Sequence, residues 1–203
     1  MSARRIPART RGRRPGGPDT RGQILEAARS SFAQKGYAGT TIRAVAGGAG
    51  VDAALVHHYF GAKEDLFLAA LHIPVDPRQV VPAVFDDGLE GAGERLLRLF
   101  LSVWDDPDVR RPLLAVVRTS LGQDGPAELL QGGLMATIFT PLREKLPGPD
   151  ADRRAQLAAS QLVGLIVARY VLQFEPLASL STEELVGWVA PTLQRYFTGP
   201  APG

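Results

Sequence analysis

The stretch from Thr40 to Phe60 constrains the fold more than any other part of the sequence, because it predicts two short helices joined by a tight turn. Apolar residues recur at helical spacing in its first half, at Ile42, Val45, Ala46 and Ala49. Gly50 interrupts this pattern, and glycine readily adopts the positive φ that a tight turn requires. Asp52 follows as a suitable N-cap for the second helix, which we expect to end at Phe60.

The second of these helices has two different faces. Val56 and Phe60 lie one turn apart and share a face that can pack on the first helix. The opposite face carries small residues near its start, followed by imidazole rings, at Ala53, Ala54, His57 and His58. A helix in a DNA major groove needs such a face, because small residues permit close approach and polar rings reach phosphates or base edges.

The run from Val51 to Phe67 resembles the recognition helix and the following helix of the TetR family of bacterial transcriptional regulators. The resemblance extends from about Thr20 to Ile73, with the Gly50 turn, the His58-Tyr59-Phe60 run and Lys63 in register. It implies an all-α fold, with an N-terminal three-helix helix-turn-helix DNA-binding domain and a C-terminal helical ligand-binding and dimerisation domain. Beyond Ile73 the chain is compatible with the family by its length and helical character.

The sequence departs from the family pattern at two positions near the DNA. Leu55 stands where the family usually has a small or polar residue, so it either meets a thymine methyl or is drawn into the core. Ala62 replaces the usual serine cap before Lys63. Gly47 and Gly48 also predict a soft end to the helix before the turn, because glycine is unfavourable within helices.

We predict DNA contacts from both helices and from the start of the next one. Hydroxyls and free N–H groups at a helix N-terminus suit a phosphate oxygen, although one of the two threonines can simply cap its helix. Lys63 begins a helix and reaches a phosphate from there. The predicted DNA-binding residues are Thr40, Thr41, Arg43, Asp52, Ala53, Ala54, Leu55, His57, His58, Tyr59 and Lys63.

Charge and composition support a division of the chain into unlike parts. Residues 1–72 carry 11 Lys and Arg against 5 Asp and Glu, whereas residues 73–203 carry 12 against 16. This asymmetry is typical of a polyanion-binding module attached to another domain, although a solvated basic tail explains part of it. We predict a disordered basic arm over 1–18, a DNA-binding domain over 19–73 and a regulatory domain over 74–203. The arginine-rich arm serves either as a minor-groove contact or as a solubilising tail.

The histidines and the lack of cysteine argue against a metal site. His57 and His58 are adjacent and point about 100° apart on a helix, so they do not bind one metal together. The chain has no cysteine, which excludes disulfides and thiolate ligands and fits a reducing cytoplasm. Residues 1–18 lack the apolar core of a secretory signal. We therefore predict a cytoplasmic protein with no cofactor, no metal and no membrane partner.

The C-terminal part predicts a hinge over 73–93, with a short helix near 79–85, followed by five helices. Their predicted ranges are 94–104, 109–121, 126–145, 151–174 and 182–197. Pro112 suits a first turn, and Pro141 kinks or ends its helix. Ser181 and Glu184 form a capping-box pattern before the last helix.

The segment from Leu157 to Phe174 is apolar nearly all round, so it must be covered on every side. A small-residue stripe lets another helix approach, and the family resemblance implies a dimer interface made from the last two helices of each subunit. An ordinary buried core helix is the alternative. The predicted dimer residues are Ser160, Gly164, Ala168, Leu185, Val189 and Leu193.

The middle helices carry more apolar residues than one thin layer needs, with a few polar residues among them. This composition predicts a small-molecule pocket, although the same residues could simply fill the core. The predicted pocket residues are Phe100, Trp104, Leu114, Arg118, Gln123, Met135 and Phe139. Arg118 favours an effector with an anionic or carbonyl group.

These observations predict a homodimeric repressor that a small hydrophobic ligand releases from a palindromic operator. An architectural DNA-binding protein without effector is the first alternative. A helical enzyme carrying a DNA-binding module is the second. No nucleophile–base pair or carboxylate pair stands out in the sequence, so we predict no enzymatic activity.

Overall fold

The structure, a computed structural model, describes residues 19–71, 73, 76–121 and 138–201. The predicted basic arm, Gln123 and Met135 lie outside the described residues. The part of the chain that is described contains helices and no strand, which confirms the all-α prediction. No helix in those ranges is long and apolar enough to cross a membrane.

Four helices form the N-terminal unit: α1 Thr20–Gly39, α2 Ile42–Ala49, α3 Ala53–Phe60 and α4 Lys63–Ala70. α1 is kinked near its C-terminal end, where Gly36 adopts a φ of 67°. An aromatic cluster closes the unit, with the ring centroids of Phe32 and Phe67 5.0 Å apart and those of Tyr37 and Phe67 5.1 Å apart. The N-terminal unit therefore has a core of its own.

The body follows with six α-helices within the described ranges. They are α5 Pro77–Ala83, α6 Ala92–Trp104, α7 Pro107–Leu121, α8 Thr140–Lys145, α9 Ala151–Leu165 and α10 Thr182–Thr198. A π-helical segment, Ile166–Val171, continues α9, and a 3₁₀ turn, Leu177–Ser179, precedes α10. The predicted capping box is confirmed at the start of α10, where the Ser181 amide donates to the Glu184 carboxylate at 2.8 Å.

The predicted position of Pro112 is wrong. α7 begins at Pro107, because Asp106 Oδ1 accepts from the Asp108 amide at 2.9 Å and Pro107 needs no hydrogen-bond acceptor there. Pro112 therefore lies inside α7 instead of in its first turn. Residues 126–137 of the predicted third body helix lie outside the described residues.

The body core is built mainly by α10, which packs against α6 and α9. Leu97, Leu185 and Leu193 are fully buried there. A separate aromatic cluster surrounds Trp104, whose ring stacks on Tyr170 with centroids 5.6 Å apart. Half-buried Ile73 packs against both this cluster and the core of the N-terminal unit.

Candidate nucleic-acid interface and cavity

The α2–turn–α3 geometry comes from side-chain caps and one left-handed glycine. Thr41 Oγ1 accepts from the Ala44 amide at 3.1 Å at the start of α2. Gly50 ends that helix with a φ of 65°. Asp52 Oδ1 then accepts from the Ala54 amide at 2.7 Å and starts α3. These local contacts fix the angle at which α3 leaves the turn.

The outer face of α3 is open to solvent. Ala54, His57, His58 and Tyr59 are exposed, and Tyr59 retains 43% of its accessible surface. His57 Nδ1 donates to the Gly61 carbonyl oxygen at 2.9 Å in the tautomer that satisfies this contact, so its Nε2 is directed away from that bond. One small residue, Ala54, therefore precedes polar rings along one exposed face.

Two predicted DNA-binding residues are placed differently from expectation. Thr40 is 1% exposed, and its hydroxyl donates to the Gly36 carbonyl at 2.9 Å, so it does not offer a hydroxyl to a phosphate. Ala53 is partly buried and packs against the core of the unit, so it supports α3 from within. Leu55 is half-buried, so it is neither fully drawn into the core nor fully exposed for contact with a thymine methyl.

Lys63 lies at the first position of α4, where its ammonium sits 4.3 Å from the centroid of the Tyr37 ring. Burial lowers the pKa of Lys63. Glu64 accepts from the Tyr37 hydroxyl at 2.7 Å, and that hydrogen bond lowers the pKa of the Glu64 carboxyl.

The serine cap that the sequence lacks at Ala62 is partly replaced. Asp65 Oδ2 accepts from the Ala62 amide at 2.9 Å, which is one of the two hydrogen bonds of a capping box. The other hydrogen bond needs a side-chain acceptor at the cap position, and alanine has none. The sequence reasoning missed this role. An acidic residue three positions after the cap was the available signal.

A cavity of about 160 Å³ lies in the body, and all the described residues of its wall are apolar. Three predicted pocket residues, Phe100, Trp104 and Phe139, belong to the wall. Leu114 does not belong to the wall, although it packs against the Trp104 cluster. Arg118 is exposed and absent from the wall, so the predicted polar anchor is wrong.

Two helices that the sequence reasoning did not assign to the pocket complete the wall. α5 contributes Pro77, Val80 and Val81, and α9 contributes Ala159 and Leu162, among other residues. These helices are distant in sequence, so no local pattern links them.

The predicted dimer residues divide between two environments. Ser160 and Gly164 are exposed, and a Cβ added at Gly164 would meet no atom within 4 Å. Leu185 and Leu193 are 0% exposed in their own core, so their prediction as interface residues is wrong. Val189 is half-buried against the same core, and Ala168 is half-buried on the π-helical segment.

A different face of α10 is open instead. Trp188 is 79% exposed, between exposed Gly187 and Pro191. On α9, Leu157 and Val163 are 41% and 47% exposed. The outward face of these two helices is therefore apolar and open, and it includes the small residues Ser160 and Gly164.

The comparisons with known proteins agree with this geometry. Residues 24–70 match the family described as bacterial regulatory proteins, tetR family, and residues 90–197 match the tetracyclin repressor-like C-terminal domain. The chain belongs to the TetR family. The second of these matches alone covers more than half of the chain.

A TetR-family regulator from Streptomyces coelicolor is 40% identical, with 92% of this chain and 98% of that chain covered and a TM-score of 0.57. The transcriptional regulator BetI of Agrobacterium fabrum is 29% identical over 83% of this chain and 85% of its own length. The repressor AcnR of Corynebacterium glutamicum is 38% identical over 71 residues, so the chain spans about a third (37%) of that relative. The TetR-family chain is a DNA-binding transcriptional regulator.

Proposed function

We propose that this TetR-family regulator is a homodimeric repressor that a small, uncharged apolar ligand releases from a palindromic operator. The observation that carries the DNA-binding part is the exposed face of α3, where Ala54 precedes His57, His58 and Tyr59. α3 is capped by Asp52 and anchored by buried Val56, so it needs no DNA to take this orientation.

The DNA contacts divide by chemistry. Ala54 permits close approach to base edges, while the His58 ring N–H and the Tyr59 hydroxyl can donate hydrogen bonds. Exposed Arg43 and the start of α2 beside Thr41 suit phosphate oxygens, and Lys63 adds a further phosphate contact once it leaves Tyr37. Affinity should fall steeply as salt rises, because several phosphates are neutralised together.

Selection of bound duplexes from a random pool tests the DNA-binding part. We expect enrichment of an approximate palindrome whose half-sites lie about one helical turn apart or a multiple of it, near 34–36 Å or more. Purified protein that enriches no sequence over random duplex at moderate salt would overturn the proposal.

The dimer is proposed through the open face of α9 and α10, with a second copy of this chain as the occupant. Trp188 is the most exposed large apolar residue of the described chain, and such a side chain is costly to leave in water. Gly164 offers open space at which a bulky side chain of a facing helix fits. Two copies would place two α3 helices for two half-sites.

Sedimentation of Gly164→Leu tests this interface. The leucine should force the facing helices apart and yield monomer where the parent is a dimer. Ser102→Leu, which adds an exposed leucine on α6, is the matched control and should remain dimeric. A dimer that survives Gly164→Leu would place the interface elsewhere.

The ligand is proposed to be uncharged, because the cavity wall offers no charged partner within the described residues. Naphthalene, an uncharged fluorescent compound small enough for a cavity of about 160 Å³, is a suitable probe and serves as the dye. Val80→Trp should block dye binding by filling the cavity from α5, whereas Gln79→Trp, on the exposed side of the same helix, should not. Binding that leaves operator affinity unchanged would favour an architectural DNA-binding protein.

A further inference from the structure

The first turn of α4 is tied to three neighbouring parts of the molecule by consecutive side chains. Lys63 and Glu64 both contact Tyr37 of α1. Asp65 instead has two partners, because its Oδ2 accepts from the Ala62 amide and its Oδ1 accepts from Arg78 Nη2. One carboxylate therefore joins the α3–α4 connection to α5.

Arg78 is firmly held on the α5 side. Its Nε donates to both carboxylate oxygens of Asp76, at 2.9 and 3.1 Å, and its Nη2 donates to Asp76 Oδ2 at 2.7 Å. Asp76 also caps α5 by accepting from the Arg78 amide at 2.9 Å. These hydrogen bonds lower the pKa of Asp65 and of Asp76 and raise that of Arg78, so all three groups are charged at neutral pH.

The same short helix forms part of the cavity wall. Pro77, Val80 and Val81 line the cavity, and Arg78 projects from between them toward α4. α5 has only seven residues, so a molecule that pushes on its cavity side displaces the Arg78 backbone as well. The Arg78 guanidinium would then either move together with Asp65 or break its ion pair with Asp65.

The other end of α4 has its own attachment. Arg29 of α1 donates from Nε to the Ala70 carbonyl at 2.9 Å. α4 is thus held at its C-terminus by α1, while its N-terminus is shared between α1 and α5. Ala62 lies only two residues after the last residue of α3, so a shift at Asp65 acts directly on the exit of α3.

We infer that the Arg78–Asp65 ion pair is the link through which an apolar molecule in the cavity changes the orientation of α3. The inference rests on the proposed function and deepens it by assigning the regulation to a named contact. Arg78 is not among the described residues of the cavity wall and lies on α5, away from the proposed DNA face of α3, so it is a positioning residue that acts through Asp65. The coupling requires that the cavity occupant bind better when this contact is altered.

Amide hydrogen exchange with naphthalene as the dye tests the link without DNA. In the parent protein, dye binding should change the protection of the amides over residues 61–66. Arg78→Ala should bind the dye and show no such change. Asp65→Asn is the second variant, because the amide oxygen still accepts from Ala62 while the ion pair with Arg78 is lost.

Operator titration gives the functional readout. In the parent, saturating dye should weaken operator affinity on the order of tenfold, a typical coupling between two sites. The ratio of operator affinity without dye to operator affinity with dye should approach one in Arg78→Ala and Asp65→Asn. Operator affinity without dye should stay within a few-fold of the parent. A purely structural role would lower stability without changing the ratio.

Arg98→Ala is the matched control. Arg98 also pairs with two carboxylates, those of Glu94 and Glu183, but it joins α6 to α10 in the body. This variant should keep the ratio of the parent. If Arg78→Ala shows the same change in hydrogen exchange and the same affinity ratio as the parent, the proposed link is wrong and the proposed function stands. If the parent binds no operator at all, the proposed function is wrong.

Discussion

The N-terminal unit and the body differ in how completely each one covers its own apolar surface. Within the described residues, Tyr59 is the one large hydrophobic side chain exposed in the N-terminal unit, and it lies on the proposed DNA face. The described part of the body leaves five such side chains exposed: Leu157, Val163, Leu172, Phe174 and Trp188. It also contains an apolar cavity.

Helix capping shows the same contrast. Asp19, Thr41 and Asp52 each accept a backbone N–H with their side chains at the starts of α1, α2 and α3. In the body, three of the six described helices start in the same way, with Asp76, Asp106 and Ser181 capping α5, α7 and α10. The helices α6, α8 and α9 start without a side-chain cap bond, as α4 does in the N-terminal unit. The body therefore depends more than the N-terminal unit on packing between distant helices. Surfaces left open by such packing are where ligands and partner subunits bind.

The largest expected effect separates the two regions by function. Ala54→Glu should reduce operator affinity by at least about 100-fold, because a carboxylate on α3 repels phosphates and fills the space that alanine leaves. Ala83→Glu makes the same change at an exposed site of α5 and should have little effect. Fluorescence anisotropy with the selected duplex measures both. Normal binding by Ala54→Glu would mean that α3 does not face DNA.

The next effect concerns the packing of the body. A Cβ at Gly93 would lie 2.6 Å from the Gln194 amide nitrogen and 2.7 Å from the Ala190 carbonyl oxygen. Gly93→Ala must therefore separate α6 from α10, at a cost of about 1–3 kcal/mol of unfolding free energy. Chemical denaturation measures this loss. Unchanged stability would mean that the two helices are less closely packed than this geometry requires.

A glycine-to-alanine substitution in the N-terminal unit should instead raise the free energy of unfolding. Gly47 lies inside α2, and a Cβ there would meet no atom within 4 Å. Gly47→Ala should raise the free energy of unfolding by about 0.5–1 kcal/mol, because alanine is the better helix former. A lower denaturation midpoint than the parent's would contradict this prediction.

The smallest expected effect is a pH dependence at the junction of the two regions. The pKa values of Asp65 and Asp76 are lowered by their hydrogen bonds to Arg78. Their contribution to stability is therefore present above the ordinary carboxyl pKa, about 4, and is lost as pH falls through the lowered values. Because the groups are partly exposed, Asp65→Asn should remove only about a few tenths of a kcal/mol of this acid dependence. Equal slopes of stability against pH in parent and variant would exclude the contribution.

The sequence by itself determined the features whose causes lie within a few residues of each other. Gly50 and Asp52 set the turn and the start of α3 because a positive φ and an N-cap are local requirements. Ser181 and Glu184 set the start of α10 in the same way. The all-α fold and the helix-turn-helix followed from such local signals and from the family resemblance.

Only the tertiary structure decided which apolar or polar residues face inward. α10 is apolar on two sides, so its periodicity did not show that Leu185 and Leu193 enter the core while Trp188 faces solvent. Thr40 and Thr41 are adjacent hydroxyls, and the kink at Gly36 buries the first and leaves the second as the cap. Which of these residues is buried depends in each case on a neighbouring helix or turn, and local periodicity does not specify that neighbour.

The cavity and the Arg78–Asp65 link show the same limit more strongly. The cavity wall combines residues of α5, α6 and α9, and the ion pair joins α4 to α5 across thirteen positions of the chain. Arg118 looked like an anchor because it stands among apolar residues in the sequence, yet the orientation of α7 leaves it exposed. Helical spacing fixes which residues share a face, but the packing of all the helices decides whether that face meets core, cavity or water.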